Sequence, residues 1–109
     1  MAPDRTPARS AGTRLLYEDE LTRVWLLDLA PGEATDWHEH DCDYAFVVTR
    51  PGPARCEFLD GTIEEQPEGP RGAVHQRRRD VGHRLLNLGD APYQNVVVEF
   101  KRLVDGRET

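Results

Sequence analysis

Short apolar runs, separated by turn residues about every ten positions, extend along the chain from Thr13 to Lys101. Within several runs, apolar and polar side chains alternate with the period of two that is typical of β-strands, and no segment has a convincing helical period. Strands are predicted over 21–29, 34–40, 43–49, 54–59, 62–66, 72–77, 83–88 and 93–100. The pattern therefore predicts an all-β domain, a small antiparallel jelly-roll barrel.

Turn residues divide these strands at defined places. Pro and Gly cluster at 51–53, where neither Pro can donate a hydrogen bond to a sheet, and Asp60-Gly61 predicts a tight hairpin with a two-residue loop. Residues 1–12 lack apolar periodicity and are predicted to form a flexible N-terminal arm, and 102–109 are predicted to be a polar tail. The barrel is expected to occupy 13–101.

Length and charge narrow the function classes. A chain of 109 residues has room for one core, and a net charge of −6 argues against nucleic acid or an anionic membrane as a partner. A small molecule is the expected ligand. No apolar run approaches the roughly 18 residues of a spanning helix, and residues 1–14 lack the apolar part of a secretory signal, so a cytoplasmic location is expected. Cys42 and Cys56 are then expected to be free thiols.

The chemically distinctive stretch is Trp37-His38-Glu39-His40. Residues two apart in a strand share a face, so His38 and His40 can point into one cavity and offer two nitrogen ligands to one metal. Tyr44, Phe46 and Val48 follow with the same parity, which predicts that they line the same inner face.

The spacing around these residues resembles the first motif of small single-domain cupins of the cupin-2 type, which is Gly, five residues, His-x-His, three or four residues, Glu, and a closing Gly. Gly32, five residues and His38-Glu39-His40 match this motif, and Pro51-Gly52 stands at its closing turn. The sequence departs from the motif at the carboxylate, where it has Tyr44 or, in the longer spacing, Ala45; parity with His38 and His40 favours Tyr44.

The second cupin motif is Gly, five to seven residues, Pro-x-Gly, two residues, His, three residues, Asn. Gly72, His83 and Asn87 follow its spacing, while Arg78-Arg79-Asp80 replaces Pro-x-Gly. The two motifs span most of the foldable chain, about 15–101. The resemblance implies the cupin-type double-stranded β-helix, a jelly-roll barrel with a metal or ligand site inside.

The resemblance also implies the members of that site. His38, His40 and His83 would hold one divalent transition metal (Zn, Fe, Ni or Mn), with an open position for water or substrate. Tyr44 is the candidate catalytic residue. The candidates for substrate binding are Trp25, Phe46, His75 and Asn87, although the sequence does not settle which face His75 occupies. A homodimer is expected from the resemblance and from the exposed edges of a small barrel.

Several alternatives remain open from sequence. In the first, the histidines line a metal-free pocket. In the second, Cys42 replaces His83 as a metal ligand. In the third, Tyr44 is a wall residue. Arg77-Arg78-Arg79 is either a solvated turn paired with Glu64, Glu65 or Glu68, or an attractor of a substrate carboxylate or phosphate. Function is accordingly predicted as a metal-dependent enzyme acting on a small polar or anionic metabolite, with dioxygenase, isomerase, decarboxylase or lyase chemistry unresolved. The alternative is a non-catalytic module that binds a small molecule.

Overall fold

The structure is a computed structural model that describes residues 13–66, 69–78 and 80–101, with the backbone alone at positions 40, 66, 80 and 81. The described residues form nine β-strands and no helix, which confirms the all-β prediction. The strands are β1 (Arg14–Glu18), β2 (Thr22–Leu29), β3 (His38–His40), β4 (Tyr44–Arg50), β5 (Ala54–Phe58), β6 (Ile63–Gln66), β7 (Val74–Arg77), β8 (Asp80–Asn87) and β9 (Tyr93–Phe100). No described helix is long and apolar enough to cross a membrane.

The strands form two antiparallel sheets. The larger has the order β1-β2-β9-β4-β7 and the smaller has the order β3-β8-β5-β6. Successive strands after β2 mostly change sheet, so non-neighbours in sequence become neighbours in space; β2, for example, pairs with β9 along its whole length. This arrangement is the double-stranded β-helix that the cupin resemblance implies.

Alternation along the strands puts the core between the two sheets. The β4 and β9 strands bury every second side chain. One apolar cluster is formed by Leu27, Leu29, Ala54, Cys56, Leu85 and Tyr93, with Phe58 packed against it. A second is formed by Tyr44, Phe46, Val48 and Val97, with Trp25 and Ala73 packed against it. Burying side chains of this size contributes about 1.5–3 kcal/mol each, so these clusters hold the sheets together.

Two short connections define one end of the barrel. Residues 41–43 link β3 to β4 there, and β7 ends and β8 begins at the same end, so the strands of both sheets meet. We call this the His40 end. At the opposite Asn87 end, β2, β4 and β8 finish, and β5 and β9 begin.

Some of the strand predictions need correction. The segment predicted as a strand over 34–40 pairs only at an isolated Ala34–Leu86 bridge and then over His38–His40. The β1 strand was not predicted, because all five of its side chains are exposed and no buried stripe marks it.

Asp19 accepts hydrogen bonds from the backbone amides of Leu21 and Thr22 and thereby shapes the turn from β1 to β2.

The hairpin at Asp60-Gly61 has a three-residue loop, not the two-residue loop predicted. Phe58 accepts a hydrogen bond from the amide of Gly61 at 3.0 Å, and its own amide donates to Thr62 O at 2.9 Å. Gly61 has φ +91°, the left-handed conformation that favours glycine. A turn followed by a left-handed glycine is the usual three-residue loop, so Gly61 is needed after the turn and not at its centre.

Candidate functional site

Two of the three proposed histidine ligands meet inside the barrel. His38 on β3 and His83 on β8 are Cα partners in the antiparallel ladder. Their ring centroids are 4.5 Å apart at an interplanar angle of 69°, and both residues are buried, with relative exposures of 3% and 6%. A pair of buried imidazoles this close can direct nitrogen atoms to a common point.

The hydrogen bonding of His38 favours one tautomer. Its Nδ1 lies 2.9 Å from the carbonyl oxygen of Asp36, which can only accept, so Nδ1 carries the proton and donates. The lone pair of His38 is then on Nε2. A histidine whose second nitrogen donates to a carbonyl is the arrangement by which proteins orient metal-binding imidazoles.

His83 is held from its other side by an aromatic ring. Phe58 on β5 meets it edge to face, with centroids 5.6 Å apart. Phe58 and His83 are themselves Cα partners between β5 and β8. The imidazole of His83 therefore lies between the rings of Phe58 and His38.

The third predicted ligand, His40, is placed by its backbone only. It pairs with Asp80, and the ladder is irregular between the His38 and His40 positions, where β8 carries one more residue than β3. The side chain of His40 lies outside the described residues, so the three-histidine shell stays a prediction. Two buried imidazoles, with Nε2 of His38 free of the Asp36 contact, fit a divalent transition metal in their donor chemistry.

The facing sheet supplies the opposite wall. Tyr44 and Phe46 are buried on the inner face of β4, as parity predicted, at 6% and 5% exposure. His75 on β7 stacks on Phe46 with centroids 4.9 Å apart and planes inclined by 29°. This contact settles the face of His75, which sequence left open: it shares the inner side with Phe46. Trp25 packs against the same cluster.

Asn87 is placed at the far end of the barrel from His40, where it binds backbone. Its Nδ2 donates to Leu29 O at 3.1 Å and to Ala91 O at 2.9 Å, and its Oδ1 accepts from the Gly89 amide at 2.9 Å. Both donors and one acceptor site are thus engaged in tying together the turns after β2 and β8. These contacts are structural, and a contact of Asn87 with a small molecule stays a prediction.

Sequence reasoning missed a buried ion pair at the His40 end. Glu99 on β9 has 0% relative exposure, and its Oε1 accepts from Arg23 Nε and Trp25 Nε1, each at 2.9 Å. The burial of Glu99 could have been predicted from the sequence. It follows Tyr93, Asn95 and Val97 at the same two-residue spacing along β9, and these three side chains are buried. Its partner Arg23 is 76 positions away, and only the β2–β9 register brings the two together.

The same arginine reaches the loop that follows β3. Arg23 Nη2 donates to Asp41 Oδ1 at 2.8 Å and lies 3.9 Å from Cys42 Sγ. Ligand atoms of Asp41, Cys42 and Glu99 lie within 4.8 Å of one another, the spacing of a metal cluster. The guanidinium of Arg23 already supplies the positive charge there, so we interpret this group as an ion-pair network.

The chemistry of Cys42 supports that interpretation. Burial, together with the nearby carboxylate of Glu99, raises the pKa of the Cys42 thiol to about 11, and the hydrogen bond from Arg23 opposes this only in part. Because a thiolate is the metal-binding form of cysteine, a metal would displace this proton at a greater free-energy cost than at an ordinary cysteine. Cys42 and Cys56 are both free and buried.

The fold and histidine geometry can now be compared with known proteins. A cupin domain from Bordetella pertussis is 26% identical, with a TM-score of 0.72, covering 89% of this chain and 100% of its own. A Klebsiella pneumoniae protein with a double-stranded β-helix domain is 21% identical, with a TM-score of 0.61, covering 85% of this chain and 79% of its own. No family model and no curated protein sequence matches the chain.

A sugar phosphate isomerase of the cupin superfamily from Silicibacter pomeroyi is also similar. It is 25% identical with a TM-score of 0.53, and the match covers 76% of this chain but 52% of the isomerase. This chain therefore spans about half the length of that protein. Together the likenesses show that the fold is that of cupin domains.

Proposed function

We propose that this chain, which has the cupin fold, is a metal-dependent enzyme in which His38, His40 and His83 hold one divalent transition metal. The observation that supports this most directly is the buried His38–His83 pair, with ring centroids 4.5 Å apart. Zinc, iron, nickel and manganese are the candidate ions, since imidazole suits several of them and availability decides among them. When bound, such an ion acts as a Lewis acid toward a substrate oxygen or lowers the pKa of bound water.

The residues around the histidines have separate proposed tasks. The carbonyl of Asp36 fixes the ring of His38 through Nδ1, so that Nε2 is presented. Phe58 covers His83 and limits the access of water on that side. Tyr44 takes the position where the resembled motif has a carboxylate, and we assign its phenol the role of hydrogen-bond donor or acid toward the substrate. Tyr44→Phe keeps the ring, so lost turnover at unchanged metal content would separate this role from packing.

The substrate class is a small polar or anionic metabolite. The Silicibacter pomeroyi likeness makes phosphorylated sugars the first compounds to test. Proton transfer between neighbouring carbons, as in isomerisation, needs a group that polarises an oxygen and a group that moves a proton. The histidine centre and Tyr44 would supply these two functions.

Metal analysis tests the proposal. Tag-free protein, reconstituted in turn with each of the four ions and desalted, is expected to retain about one equivalent of at least one ion. His38→Ala and His83→Ala should lose it. His75→Ala is the matched control, because it removes an imidazole that stacks on Phe46 in the other sheet. Circular dichroism verifies that each variant is folded.

Failure has a defined meaning. A folded wild-type protein that retains none of the four ions contradicts the metal centre and favours the second reading, a metal-free module that binds a small molecule between the same histidines. Equal loss in His75→Ala would contradict the assigned ligand set. A homodimer, also proposed here, is checked independently by light scattering, where twice the 12.4 kDa chain mass is expected.

A further inference from the structure

A cavity of about 330 Å³ lies at the His40 end of the barrel, apart from the histidine pair. Its lining residues are Asp43, Gln76, Arg77 and Arg78. They come from the start of β4 and the end of β7, which are paired directly through Tyr44 and Arg77. The cavity therefore lies at the rim of the larger sheet, where the chain crosses to β8.

The arginines of this cavity are weakly engaged within the protein. Arg77 Nη2 is 3.9 Å from Glu64 Oε1, and the two side chains are 36% and 55% exposed, so the pair contributes little and exchanges readily. Arg78 is exposed and makes no ion pair with the residues that the structure describes. Of the four residues that line the cavity, two are arginines and one, Asp43, is a carboxylate, so the lining itself carries one net positive charge.

This local charge contrasts with the rest of the molecule. The chain carries a net charge of −6, which disfavours the general attraction of anions. An anion would therefore concentrate where arginines are gathered. Guanidinium groups bind carboxylate and phosphate through two parallel hydrogen bonds, which makes arginine suited to both groups.

The cavity is also connected to the proposed metal site. Arg78 precedes Asp80 by two residues, and Asp80 is the Cα partner of His40. The greatest reach of a two-residue step, added to one ladder spacing, keeps the backbones of Arg78 and His40 within about 13 Å of each other. On the inner side, the Arg77 guanidinium lies 5.9 Å from the centroid of Phe46, which carries the stacked His75. A small molecule can span this separation.

We infer that Arg77 and Arg78 form an anion subsite that binds the carboxylate or phosphate group of the small molecule handled by the histidine centre. The identity of that molecule as a substrate rests on the proposed function. The subsite itself rests on the cavity, its charge and its position. The uncharged reacting part of the molecule would then extend toward Phe46 and the barrel interior.

Titration calorimetry with inorganic phosphate and, separately, acetate tests the subsite on the full chain after chelator treatment, which prevents either anion from binding a metal. Arg77→Gln and Arg78→Gln should each weaken binding about tenfold, the effect of losing one charge-assisted interaction. Arg50→Gln is the matched control, because it removes the same charge from an exposed position at the Asn87 end of β4. Arg50→Gln should leave the affinity for either anion within about twofold of the wild-type value.

The outcomes are distinct. Stronger binding of phosphate assigns a phosphate subsite, and stronger binding of acetate assigns a carboxylate subsite. Absence of binding to the wild type, or an equal loss in Arg50→Gln, overturns the inference. Retained metal without anion binding would contradict this subsite alone. Anion binding by a chain that retains no metal would contradict the proposed metal centre and leave the subsite standing.

Discussion

His38 and His83 are 45 positions apart in sequence, yet they are directly opposite each other in the β3–β8 ladder, with ring centroids 4.5 Å apart. Opposed residues in an antiparallel pair project to the same side of the sheet. The register of a three-residue strand thus determines whether the two imidazoles meet. A shift of one residue would send one ring to the outer face.

The position of β3 depends on contacts beyond its own ladder. At its start, Thr35 N donates to Leu85 O at 2.9 Å, and Leu85 N donates to Thr35 Oγ1 at 3.0 Å. At its end, Arg23 joins Asp41 to the buried Glu99. These contacts connect β3 to β8 on one side and to the larger sheet on the other, and they hold His38 in register.

The first prediction concerns Arg23. Arg23→Met should lower the free energy of unfolding by about 3 kcal/mol, because it removes the ion pair with Arg23 from the buried carboxylate of Glu99. Urea unfolding followed by tryptophan fluorescence gives the value. Arg14→Met is the control, since Arg14 is exposed on β1 and its loss should change stability by no more than about 0.5 kcal/mol.

The double variant Arg23→Met/Glu99→Leu sharpens this test. Removing both charges also removes the buried carboxylate that has lost its ion pair with Arg23, so part of the stability lost in Arg23→Met should return. If the double variant is less stable than Arg23→Met by the full cost of a second buried substitution, the ion pair is not the source of the effect.

A second prediction concerns Asn87. Asn87→Ala should reduce stability by about 3 kcal/mol, because it removes hydrogen bonds to Leu29 O, Ala91 O and the Gly89 amide from a residue that is 1% exposed. Thermal or urea unfolding measures the loss. Leu88→Ala, at a neighbouring residue that is 43% exposed, should cost less than about 1 kcal/mol.

The result also tests the interpretation of Asn87. If its role is to tie the turns together, folded Asn87→Ala protein should still retain metal and anion at wild-type affinity. A stable Asn87→Ala protein with weakened ligand binding would instead support the substrate-binding role predicted from sequence.

The accuracy of the sequence predictions followed the burial of each element. The β4 and β9 strands were predicted nearly to their ends, because alternate side chains are buried. The same alternation correctly predicted that Tyr44 and Phe46 lie on the inner face of β4. The β1 strand has no buried side chain, so its sequence contains no comparable stripe. The predicted strand over 34–40 was too long. Before His38, this segment pairs with β8 only at the isolated Ala34–Leu86 bridge and does not form a continuous ladder.

Residue pairs distant in sequence were harder to predict. The spacing of two motifs suggested that His38 and His83 would share a site, because a family resemblance supplied the missing register. No resemblance pointed to Arg23 and Glu99, and the charge pattern of β2 and β9 alone does not show which residues are opposed. In the structure Arg23 and Glu99 are Cα partners, a fact fixed by the pairing of the second strand with the last.

The final prediction is the titration of Cys42. Burial first, and the charge of Glu99 second, raise the pKa of this thiol from its ordinary 9.0 to about 11. The folded protein therefore holds the thiol proton more tightly than the unfolded chain does. Cys42 contributes stability below pH 9, and this contribution is lost as the pH rises from about 9 toward 11, because the unfolded thiol ionises first.

Thiolate absorbance at 240 nm, taken as the difference between the protein and its Cys42→Ser variant, should show a midpoint near 11 in the folded state. Glu99→Gln should move the midpoint downward, since it removes a negative charge that opposes the thiolate. A midpoint near 9 in the folded wild type would contradict the assigned environment. It would also restore Cys42 as a candidate metal ligand, because the thiolate would then form at a pH where metal competes for it.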